Sequence, residues 1–385
     1  MIRVDTSCCS RFHIFDQASQ LQKKNILNNL IHCHPKSHLK RYNIDHTKSI
    51  NNPILGYINY SGRYLPNFIN NFVQKQVTLN TDSFIKKTLM RKKNKPDIFI
   101  GLSSFITKTV KYCNQNSIYS IVDHGSLHPE FEKKLIIDEC NRISINYNDF
   151  IAPNWQIERM RLEFNQAKKI IVLSEIAKQS MIDYGTSINK IEVLNCGVDQ
   201  NFFKPSKVNK FDKFTIAYCG SLSPRKGLHN LIEAFKRSKI NNSQLVILGS
   251  KSISKDYNRL LKKISGENII FYGSVKQNKL TSILSKCHVF VLPSIADGFG
   301  LVVLQAISAG LPVIVSSNVG SSDLIKKYGG GYVFKYNDID KLTGLIVNFY
   351  TNKKDLLSNF NLDQVINNIT WENYGNRLYN FLRKL

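Results

Sequence analysis

The stretch from Pro293 to Gly310, PSIADGFGLVVLQAISAG, directly follows the apolar run HVFVL and places a glycine-punctuated loop before a second apolar run. This pattern predicts a strand, a loop and the first turns of a helix. Backbone N–H groups in the first turn of a helix have no intrahelical partner, and Gly298 and Gly300 allow a ligand to approach the backbone closely. The stretch therefore favours an anion site, with diphosphate as the candidate ligand. Taken alone, it also fits an ordinary βα unit of an α/β core.

The rest of the chain repeats this strand, loop and helix pattern. Short apolar runs alternate with helical segments, which indicates parallel sheets covered by helices on both faces. With 385 residues and a hydrophobic content of 42%, the chain is long enough for two domains that each bury a core. We predict an α/β protein in which two Rossmann-like parallel-sheet domains face a cleft.

The polar stretch from Ser206 to Lys213 marks the predicted domain boundary. Residues 1–205 then form the N-terminal domain and residues 206–365 the C-terminal domain. Residues 366–385 read as an amphipathic helix that we expect to return to the N-terminal domain. Between His34 and Lys95 the pattern weakens, and the aromatic run YINYSGRYLPNF fits a lid, an acceptor-binding surface or a membrane-facing patch.

Two loops of the N-terminal half carry candidate site residues. The first of them contains Arg11 and His13 and is the predicted first β–α loop of the chain. In a doubly wound sheet this loop lies at the carboxyl edge, where ligands bind. A later strand ends at Asp123 and His124, and His128 precedes the next predicted helix. Each of these histidines also fits a buried, hydrogen-bonded structural role.

The loop SLSPRKG places Arg225 and Lys226 at a helix N-terminus in the second half of the chain. There the two cations add positive charge to a backbone that already favours anions. As isolated residues they also fit ordinary surface charges. Together with Asp297 and the loop glycines, they are expected to face one ligand.

The chain is strongly basic, with 53 Lys and Arg against 28 Asp and Glu and a formal net charge of +25. This balance favours an anionic partner, such as a nucleotide, a nucleic acid, an anionic lipid or an acidic saccharide. The basic residues are spread along the chain. Each basic cluster taken singly therefore fits an ordinary solvated surface, whereas the clusters taken together fit docking to an anionic membrane. No apolar run reaches the roughly 18 residues that cross a bilayer, so membrane contact is expected to be peripheral.

The eight cysteines include no C-x-x-C pair, and the chain has no recognisable signal peptide. These features predict a reduced, cytoplasmic protein rather than a disulfide scaffold. No convincing cluster of carboxylates is visible, so we expect no metal site.

The quoted stretches, together with GSLSPRKGLHNLIEAF, LVILGS and VLNCGVDQNFFKP, resemble the retaining glycosyltransferases of sequence family four (glycosyl transferases group 1), which have the GT-B fold. The resemblance covers residues 155–385 and, more loosely, RFHIFDQASQL and IVDHGSLHPEF. It implies a nucleotide-sugar donor, a UDP-, GDP- or ADP-sugar, held mainly by the C-terminal domain. It also implies a saccharide or lipid-linked acceptor on the N-terminal domain and no separate cofactor.

The resemblance further implies roles for single residues. Asp297 and Gln305 match two positions where the family usually has glutamates, the first contacting the donor sugar and the second the ribose. Ser221 stands where an arginine is usual, and Arg225 is expected to supply the missing charge beside Lys226. His124 resembles a histidine that contacts the donor sugar. The remaining implied donor-binding residues are Gly220, Gly249, Ser294, Gly298, Phe299, Gly300, Leu301 and Val302, and the implied acceptor or phosphate contacts are Arg11, His13 and His128.

Three functions remain open from the sequence. The first is a retaining, metal-independent glycosyltransferase that builds a bacterial surface polysaccharide, such as lipopolysaccharide, at the inner face of the cytoplasmic membrane. The second is a GT-B-like protein that binds a nucleotide sugar with little or no turnover, which Ser221 and Gln305 motivate. The third is a nucleic-acid-binding protein, which the charge motivates but no basic, aromatic-interleaved module supports. We predict the first function and no nucleic-acid partner.

Overall fold

The computed structural model describes residues 2–9, 13–62, 65, 67–200, 202–204, 208–352 and 362–385. Strands and helices alternate through these ranges, because each apolar run is short and ends at glycine or polar residues that start a loop. Two separate parallel sheets result, and the predicted fold class is confirmed.

The first sheet belongs to the N-terminal half of the chain. Its strands are β1 Val4–Cys8, β2 Leu27–His32, β3 Ser49–Asn51, β4 Ile98–Leu102, β5 Tyr119–His124, β6 Lys169–Val172 and β7 Ile191–Val193. They lie in the order β3-β2-β1-β4-β5-β6-β7, and every pairing is parallel. The helices of this half are α1 Ile14–Lys23, α2 Pro53–Ser61, α3 Asn67–Arg91, α4 Thr107–Gln115, α5 Pro129–Arg142, α6 Asn154–Gln166 and α7 Glu175–Asp183.

The second sheet belongs to the C-terminal half. Its strands are β8 Phe214–Cys219, β9 Ser243–Leu248, β10 Ile269–Gly273, β11 Val289–Leu292, β12 Val313–Ser316 and β13 Gly331–Phe334. They lie in the order β10-β9-β8-β11-β12-β13 and are also parallel. The helices are α8 Leu228–Arg237, α9 Lys255–Ile264, α10 Gln277–Leu284, α11 Leu301–Ser308, α12 Ser322–Tyr328, α13 Ile339–Thr351, α14 Leu362–Asn368 and α15 Trp371–Leu382.

Both sheets are covered on their two faces, so their central strands are buried throughout. All five residues of β1 and all four of β11 are buried. Continuous apolar runs of this kind are what a parallel sheet between two helical layers requires. The strand order reverses next to β1 in the first sheet and next to β8 in the second. Ligands of open α/β sheets bind at such switch points, at the carboxyl ends of the strands.

The last helix of the chain lies on the N-terminal domain. Tyr374 and Leu378 of α15 are fully buried in the core formed with β1, α1 and β2, and Gln17 Nε2 donates a hydrogen bond of 2.8 Å to the Tyr374 hydroxyl. The chain therefore crosses between the domains twice. The predicted boundary at residues 205 and 206 lies outside the described residues; the first sheet ends at Val193, and the second begins at Phe214.

The segment between His34 and Lys95, for which the sequence left three alternatives, forms mainly the helices α2 and α3. Helix α2 starts two residues after β3, and Pro53 occupies its first turn, where a missing N–H costs nothing. Across the described ranges, no helix combines the length and the apolar composition that crossing a membrane requires.

Candidate functional site

A large cavity lies between the carboxyl edges of the two sheets. Its volume is about 1300 Å³, above the roughly 300–1,000 Å³ of most small-molecule sites, so it has room for two ligands side by side. The N-terminal wall comes from α1 and its start, from the segment around Arg41, from the loops that follow β4 and β5, and from Leu173 after β6. The opposite wall comes from the loops that follow β8 and β11, together with the start of α11.

Lys226 and Asp297 form an ion pair on the C-terminal wall, with Lys226 Nζ donating to Asp297 Oδ2. Their two loops are packed directly on each other: the Ile295 N–H donates to the Arg225 carbonyl over 2.8 Å. A Cβ on Gly227 would lie only 2.0 Å from the Pro293 carbonyl oxygen, so only glycine permits this approach. Gly227 also has a φ of +67°, a backbone conformation that favours glycine. The loop packing thus fixes the cation beside the carboxylate.

The charges of this wall support one another. Burial raises the pKa of Asp297, but the nearby Lys226 and Arg225 outweigh it and leave the pKa below its usual value. Burial lowers the pKa of Lys226, and the Asp297 carboxylate offsets part of that effect. Arg225 Nη1 donates to the Ala296 carbonyl over 2.9 Å, and Arg225 Nε lies 3.9 Å from Glu132 of the other domain. The wall therefore carries two cations and one carboxylate at the edge of the cavity.

The N-terminus of α11 also faces the cavity. Its N-cap is Gly300, with a φ of +75°, and no described side chain caps the helix. Leu301 and Val302 of the first turn line the cavity, so N–H groups without intrahelical partners lie at the wall. Gln305 follows one turn later on the same wall. This arrangement suits an anion between the helix N-terminus and Lys226.

Gly298 makes a contact between the domains that the sequence did not predict. It does not line the cavity; its backbone packs against the other domain, where an added Cβ would lie 2.4 Å from Ser126 Cα and 2.6 Å from the Gly125 carbonyl oxygen. Ser174 Oγ of the N-terminal domain donates to the Gly298 carbonyl over 2.7 Å. The glycine therefore permits close approach of the two domains.

A second contact joins the domains behind the cavity. Glu139 of α5 accepts hydrogen bonds from Arg142 and from His229 of α8, the latter at 2.6 Å. Burial raises the pKa of Glu139, but these two donors outweigh it and bring the pKa to about 2. His229 is bonded on its other ring nitrogen to the Tyr257 hydroxyl, at 2.9 Å. The ionised Glu139 thus holds α5 of the first domain against α8 of the second.

His124 lines the cavity, but both of its ring nitrogens are engaged. Nε2 lies 2.9 Å from the Leu127 carbonyl oxygen, which can only accept, so Nε2 carries the proton and Nδ1 accepts from the Ser103 hydroxyl at 2.8 Å. Burial lowers the pKa of His124, so the ring is neutral near pH 7. These contacts give His124 a positioning role in the loop after β5.

His13 also lines the cavity, at the start of α1. Its Nε2 lies 2.9 Å from Asp123 Oδ1, and the other carboxylate oxygen of Asp123 accepts from Gln17 Nε2 over 2.7 Å. Gln17 in turn reaches Tyr374 of the last helix. His13 is thus tied to the sheet edge and to the C-terminal helix. Arg11, its predicted neighbour in the site, lies outside the described residues.

Three further predicted residues lie away from the cavity lining. His128 accepts at Nδ1 from the Glu130 N–H over 3.4 Å and stacks on Tyr184; burial lowers its pKa to about 4. Ser294 is fully buried beneath the loop, and its carbonyl accepts from Ser316 Oγ. Gly249 packs on the neighbouring loop, where a Cβ would lie 1.8 Å from the Gly220 carbonyl oxygen. His128 caps a helix, and Ser294 and Gly249 lie in packed loops. The predicted residues that do line the cavity are Gly220, Ser221, Arg225, Lys226, Asp297, Phe299, Gly300, Leu301, Val302 and Gln305, with His13 and His124 on the opposite wall.

The cavity also contains residues that the sequence analysis missed. Asp16 lines it one turn after His13, and burial raises the pKa of this carboxyl to about 7. Arg41 reaches across the cleft and donates to Gln277 of the C-terminal domain, and Trp371 lines the cavity from the last helix. Asp16 follows His13 by three residues, and residues with this spacing share one face of a helix, so the sequence could have indicated Asp16. For Arg41 and Trp371, which come from distant parts of the chain, the sequence offered no signal.

The chain resembles a known family in its C-terminal half. Residues 199–361 match the family described as glycosyl transferases group 1. One relative is the UDP-Gal:alpha-D-GlcNAc-diphosphoundecaprenol alpha-1,3-galactosyltransferase of Escherichia coli, 33% identical over 175 residues, which are 41% of this chain and 44% of the relative. The chain spans about half the length of the curated relatives it matches. The family resemblance inferred from the sequence is confirmed.

Solved structures share the whole architecture. Sucrose-phosphate synthase from Thermosynechococcus elongatus superposes with a TM-score of 0.70 at 16% identity and covers 100% of this chain and 99% of its own. Anabaena Alr3699/HepE in complex with UDP and glucose superposes with a TM-score of 0.67 at 16% identity and covers 100% of both chains. At this identity the likeness establishes the GT-B fold.

Replacing Gly298 by alanine tests the contact between the domains. The new methyl group meets backbone atoms of Gly125 and Ser126, which cannot rotate away, so we expect the closed arrangement to lose about 1–3 kcal/mol. Small-angle X-ray scattering should then give a larger radius of gyration than for the wild type. Gly344→Ala is the matched control, because a Cβ there meets nothing within 4 Å. An unchanged scattering curve for Gly298→Ala would show that the domains do not meet at this residue in solution.

Proposed function

We propose that this chain, whose C-terminal domain belongs to the glycosyl transferases group 1 family and whose two domains form the GT-B fold, transfers a sugar from a nucleotide-diphosphate sugar to an acceptor in the cavity. The observation that carries the proposal is the wall where Lys226, Arg225 and the N-terminus of α11 meet. Such a wall balances the negative charge of a diphosphate leaving group.

The donor fits the C-terminal wall. The diphosphate lies between Lys226 and the first turn of α11, where it competes with Asp297 for the ammonium group. Asp297 is then placed to bind hydroxyl groups of the donor sugar, and Gln305 binds the ribose. A UDP-, GDP- or ADP-sugar meets these requirements. The complex of the neighbour HepE with UDP and glucose supports a donor of this class.

The acceptor fits the N-terminal wall, near Asp16 and Arg41. The Escherichia coli relative is named for an acceptor in which a sugar is joined through diphosphate to undecaprenol. We propose a saccharide or lipid-linked acceptor of this general kind, used for a bacterial surface polysaccharide at the inner face of the cytoplasmic membrane. The net charge of +25 supports peripheral contact with an anionic membrane.

The reaction breaks the bond between the anomeric carbon and a diphosphate oxygen, and it forms a bond from that carbon to an acceptor hydroxyl oxygen. Positive charge grows on the sugar and negative charge on the diphosphate, so stabilising the leaving group is the main task. We propose retention of configuration, with the acceptor on the leaving-group face and its proton passing to the diphosphate oxygen. His124 does not act as the base, because Nε2 is protonated and Nδ1 is bonded to Ser103. We further propose that Lys226 and Arg225, rather than a metal ion, neutralise the diphosphate.

A second function, binding of a nucleotide sugar without turnover, is favoured by Ser221 and Gln305. Both residues line the cavity, and neither supplies the charge that the family usually has at its position. The two functions share one binding site, so only turnover separates them.

Release of nucleoside diphosphate from a panel of UDP-, GDP- and ADP-sugars tests the proposal. We expect one donor to raise the thermal unfolding midpoint most, since a ligand of the native state stabilises it, and the same donor to be hydrolysed or transferred. The rate should be unchanged by EDTA. Binding without release for every donor would establish the second function, and loss of release in EDTA would contradict metal independence.

Replacing Lys226 by alanine should lower turnover by roughly a hundredfold, because it removes charge stabilisation of the departing diphosphate. Lys263→Ala, which changes an exposed lysine of α9, is the matched control for net charge. Because the replacement also leaves Asp297 without its ion-pair partner, the thermal midpoint must be measured for each variant. A correctly folded Lys226→Ala protein with the wild-type rate would refute the assignment.

Replacing Gln305 by glutamate should tighten donor binding by about fivefold, because hydrogen bonds from ribose hydroxyls to a carboxylate are stronger than those to an amide. Isothermal titration calorimetry with the donor identified by the panel measures the change. Gln364→Glu, at an exposed position on α14, controls for the added charge. Equal or weaker binding by Gln305→Glu would place the ribose elsewhere.

A further inference from the structure

Two cysteines from neighbouring strands of the first sheet lie side by side beneath α2 and α3. Strands β1 and β2 are parallel, and the last residues that they pair are Cys8 and His32. Cys9 and Cys33 each follow by one residue, and both belong to a small buried cluster with Val77 of α3. Neighbouring strands lie about 4.8 Å apart, which is within the roughly 4.4–6.8 Å between Cα atoms that a disulfide requires. The backbone therefore permits a bond between these two cysteines.

The two thiols also share their hydrogen-bond partners. Thr81 Oγ1 donates to Cys9 Sγ over 3.5 Å and lies 3.7 Å from Cys33 Sγ. The Cys33 thiol in turn forms a hydrogen bond with Cys9 directly. Both cysteines are free thiols in this structure. The two sulfur atoms thus converge on one hydroxyl group and on each other, so a bond between them needs only a short movement.

The two thiols differ in acidity. The hydrogen bond from Cys33 lowers the pKa of Cys9, and burial offsets only part of this effect. The same hydrogen bond, together with burial, raises the pKa of Cys33. The thiolate, and not the thiol, is the nucleophile, so Cys9 suits the attacking role and Cys33 the resolving role.

The other cysteines lack this combination. All eight cysteines of the chain lie within the residues that the structure describes. Burial raises the pKa of each of the remaining six, which are Cys8, Cys113, Cys140, Cys196, Cys219 and Cys287. Buried cysteines with a raised pKa are unreactive, so reaction is expected at Cys9 first.

The cover over the pair is thin. Helix α2 lies directly on it, because a Cβ added to Gly56 would lie 1.9 Å from the Cys33 carbonyl oxygen. Yet α2 contains no buried residue, and its contribution to the cluster is Leu55, which is partly buried. An element with so few buried apolar contacts opens locally at a low free energy. A brief opening of α2 is enough to admit a small oxidant to the two thiols.

We propose that Cys9 and Cys33 form an oxidation site, a thiol pair that a peroxide converts into an intramolecular disulfide. The Cys9 thiolate attacks one peroxide oxygen, the O–O bond breaks, and Cys9 becomes a sulfenic acid while the other oxygen leaves as water. The Cys33 thiol then gives up its proton, and its sulfur displaces the sulfenic hydroxyl group as a second water. One hydrogen peroxide thus oxidises two thiols to one disulfide and is reduced to two water molecules.

The disulfide would act at the base of the N-terminal wall. Cys9 precedes His13 by four residues, and His13 lines the cavity at the start of α1. Phe105, in the loop after β4, lines the cavity and also packs on the cluster that contains the two cysteines. The oxidation site goes beyond the proposed function, because its chemistry involves no nucleotide sugar.

Peptide mapping of the full chain tests the proposal. The folded, reduced wild type is treated with a small molar excess of hydrogen peroxide, then unfolded in N-ethylmaleimide and digested. We expect a peptide pair joined through Cys9 and Cys33, lacking two hydrogen atoms and separated by dithiothreitol, with fragmentation distinguishing Cys9 from Cys8. It should form at least about tenfold faster than any other cysteine is oxidised, because the attacking thiolate has its resolving thiol beside it.

Two variants sharpen the test. Cys33→Ser should give no linked peptides, and dimedone should instead trap a sulfenic acid at Cys9. Cys113→Ser is the matched control, because it removes a buried thiol from α4 of the same domain, and it should form the disulfide like the wild type. Cys9 and Cys33 both alkylated after peroxide treatment of the wild type would overturn the proposal. So would a link that forms only in urea, or one that joins Cys8 in place of Cys9. The wild-type result decides even if a variant fails to fold.

Discussion

The ion pair between Lys226 and Asp297 at the cavity wall is the interaction on which the site depends. Removing Lys226 alone would leave Asp297 with Arg225 as its remaining nearby cation, and removing Asp297 alone would leave Lys226 without its ion-pair partner. The pair is held by direct packing of two loops, at Gly227 and Pro293. Any ligand that displaces the carboxylate must offer the ammonium group an equivalent negative charge. A diphosphate does so, and this is the physical basis of the proposed donor site.

The same stretch of chain also joins the domains. Gly298 packs on Gly125 and Ser126, and two residues later Gly300 starts the helix whose first turn faces the cavity. The helix N-terminus at the cavity and the contact between the domains therefore belong to one loop, so a movement of one domain against the other changes the shape of the cavity. Glu139 and His229 hold the domains together at a second place, behind the cavity. The return of the last helix to the N-terminal domain adds a third connection.

The two walls of the cavity differ in how far the sequence could predict them. The loops at two strand ends contain Arg225, Lys226 and Asp297. Because parallel strands bring such loops to one edge of the sheet, the sequence could predict that these three side chains lie close together. Gly298 and Ser294 belong to the loop of Asp297, and Gly249 belongs to the loop after β9. All three lie in packing contacts, because only the fold decides which side of a loop faces solvent. His128 is likewise a helix cap. Arg41 and Trp371 join the cavity from segments without any shared pattern.

The sequence by itself determined the two parallel sheets, the helices between their strands and the anion-seeking character of the loops at their carboxyl ends. These features follow from local periodicity, glycine positions and the fixed handedness of βαβ connections, all of which act over short distances. Only the tertiary structure decided that His124 is neutral and bonded on both ring nitrogens, that Gly298 serves the domain contact, and that Cys9 and Cys33 lie together beneath α2 and α3. Those outcomes depend on which residues meet from distant parts of the chain, and residue spacing along the sequence carries no record of such meetings.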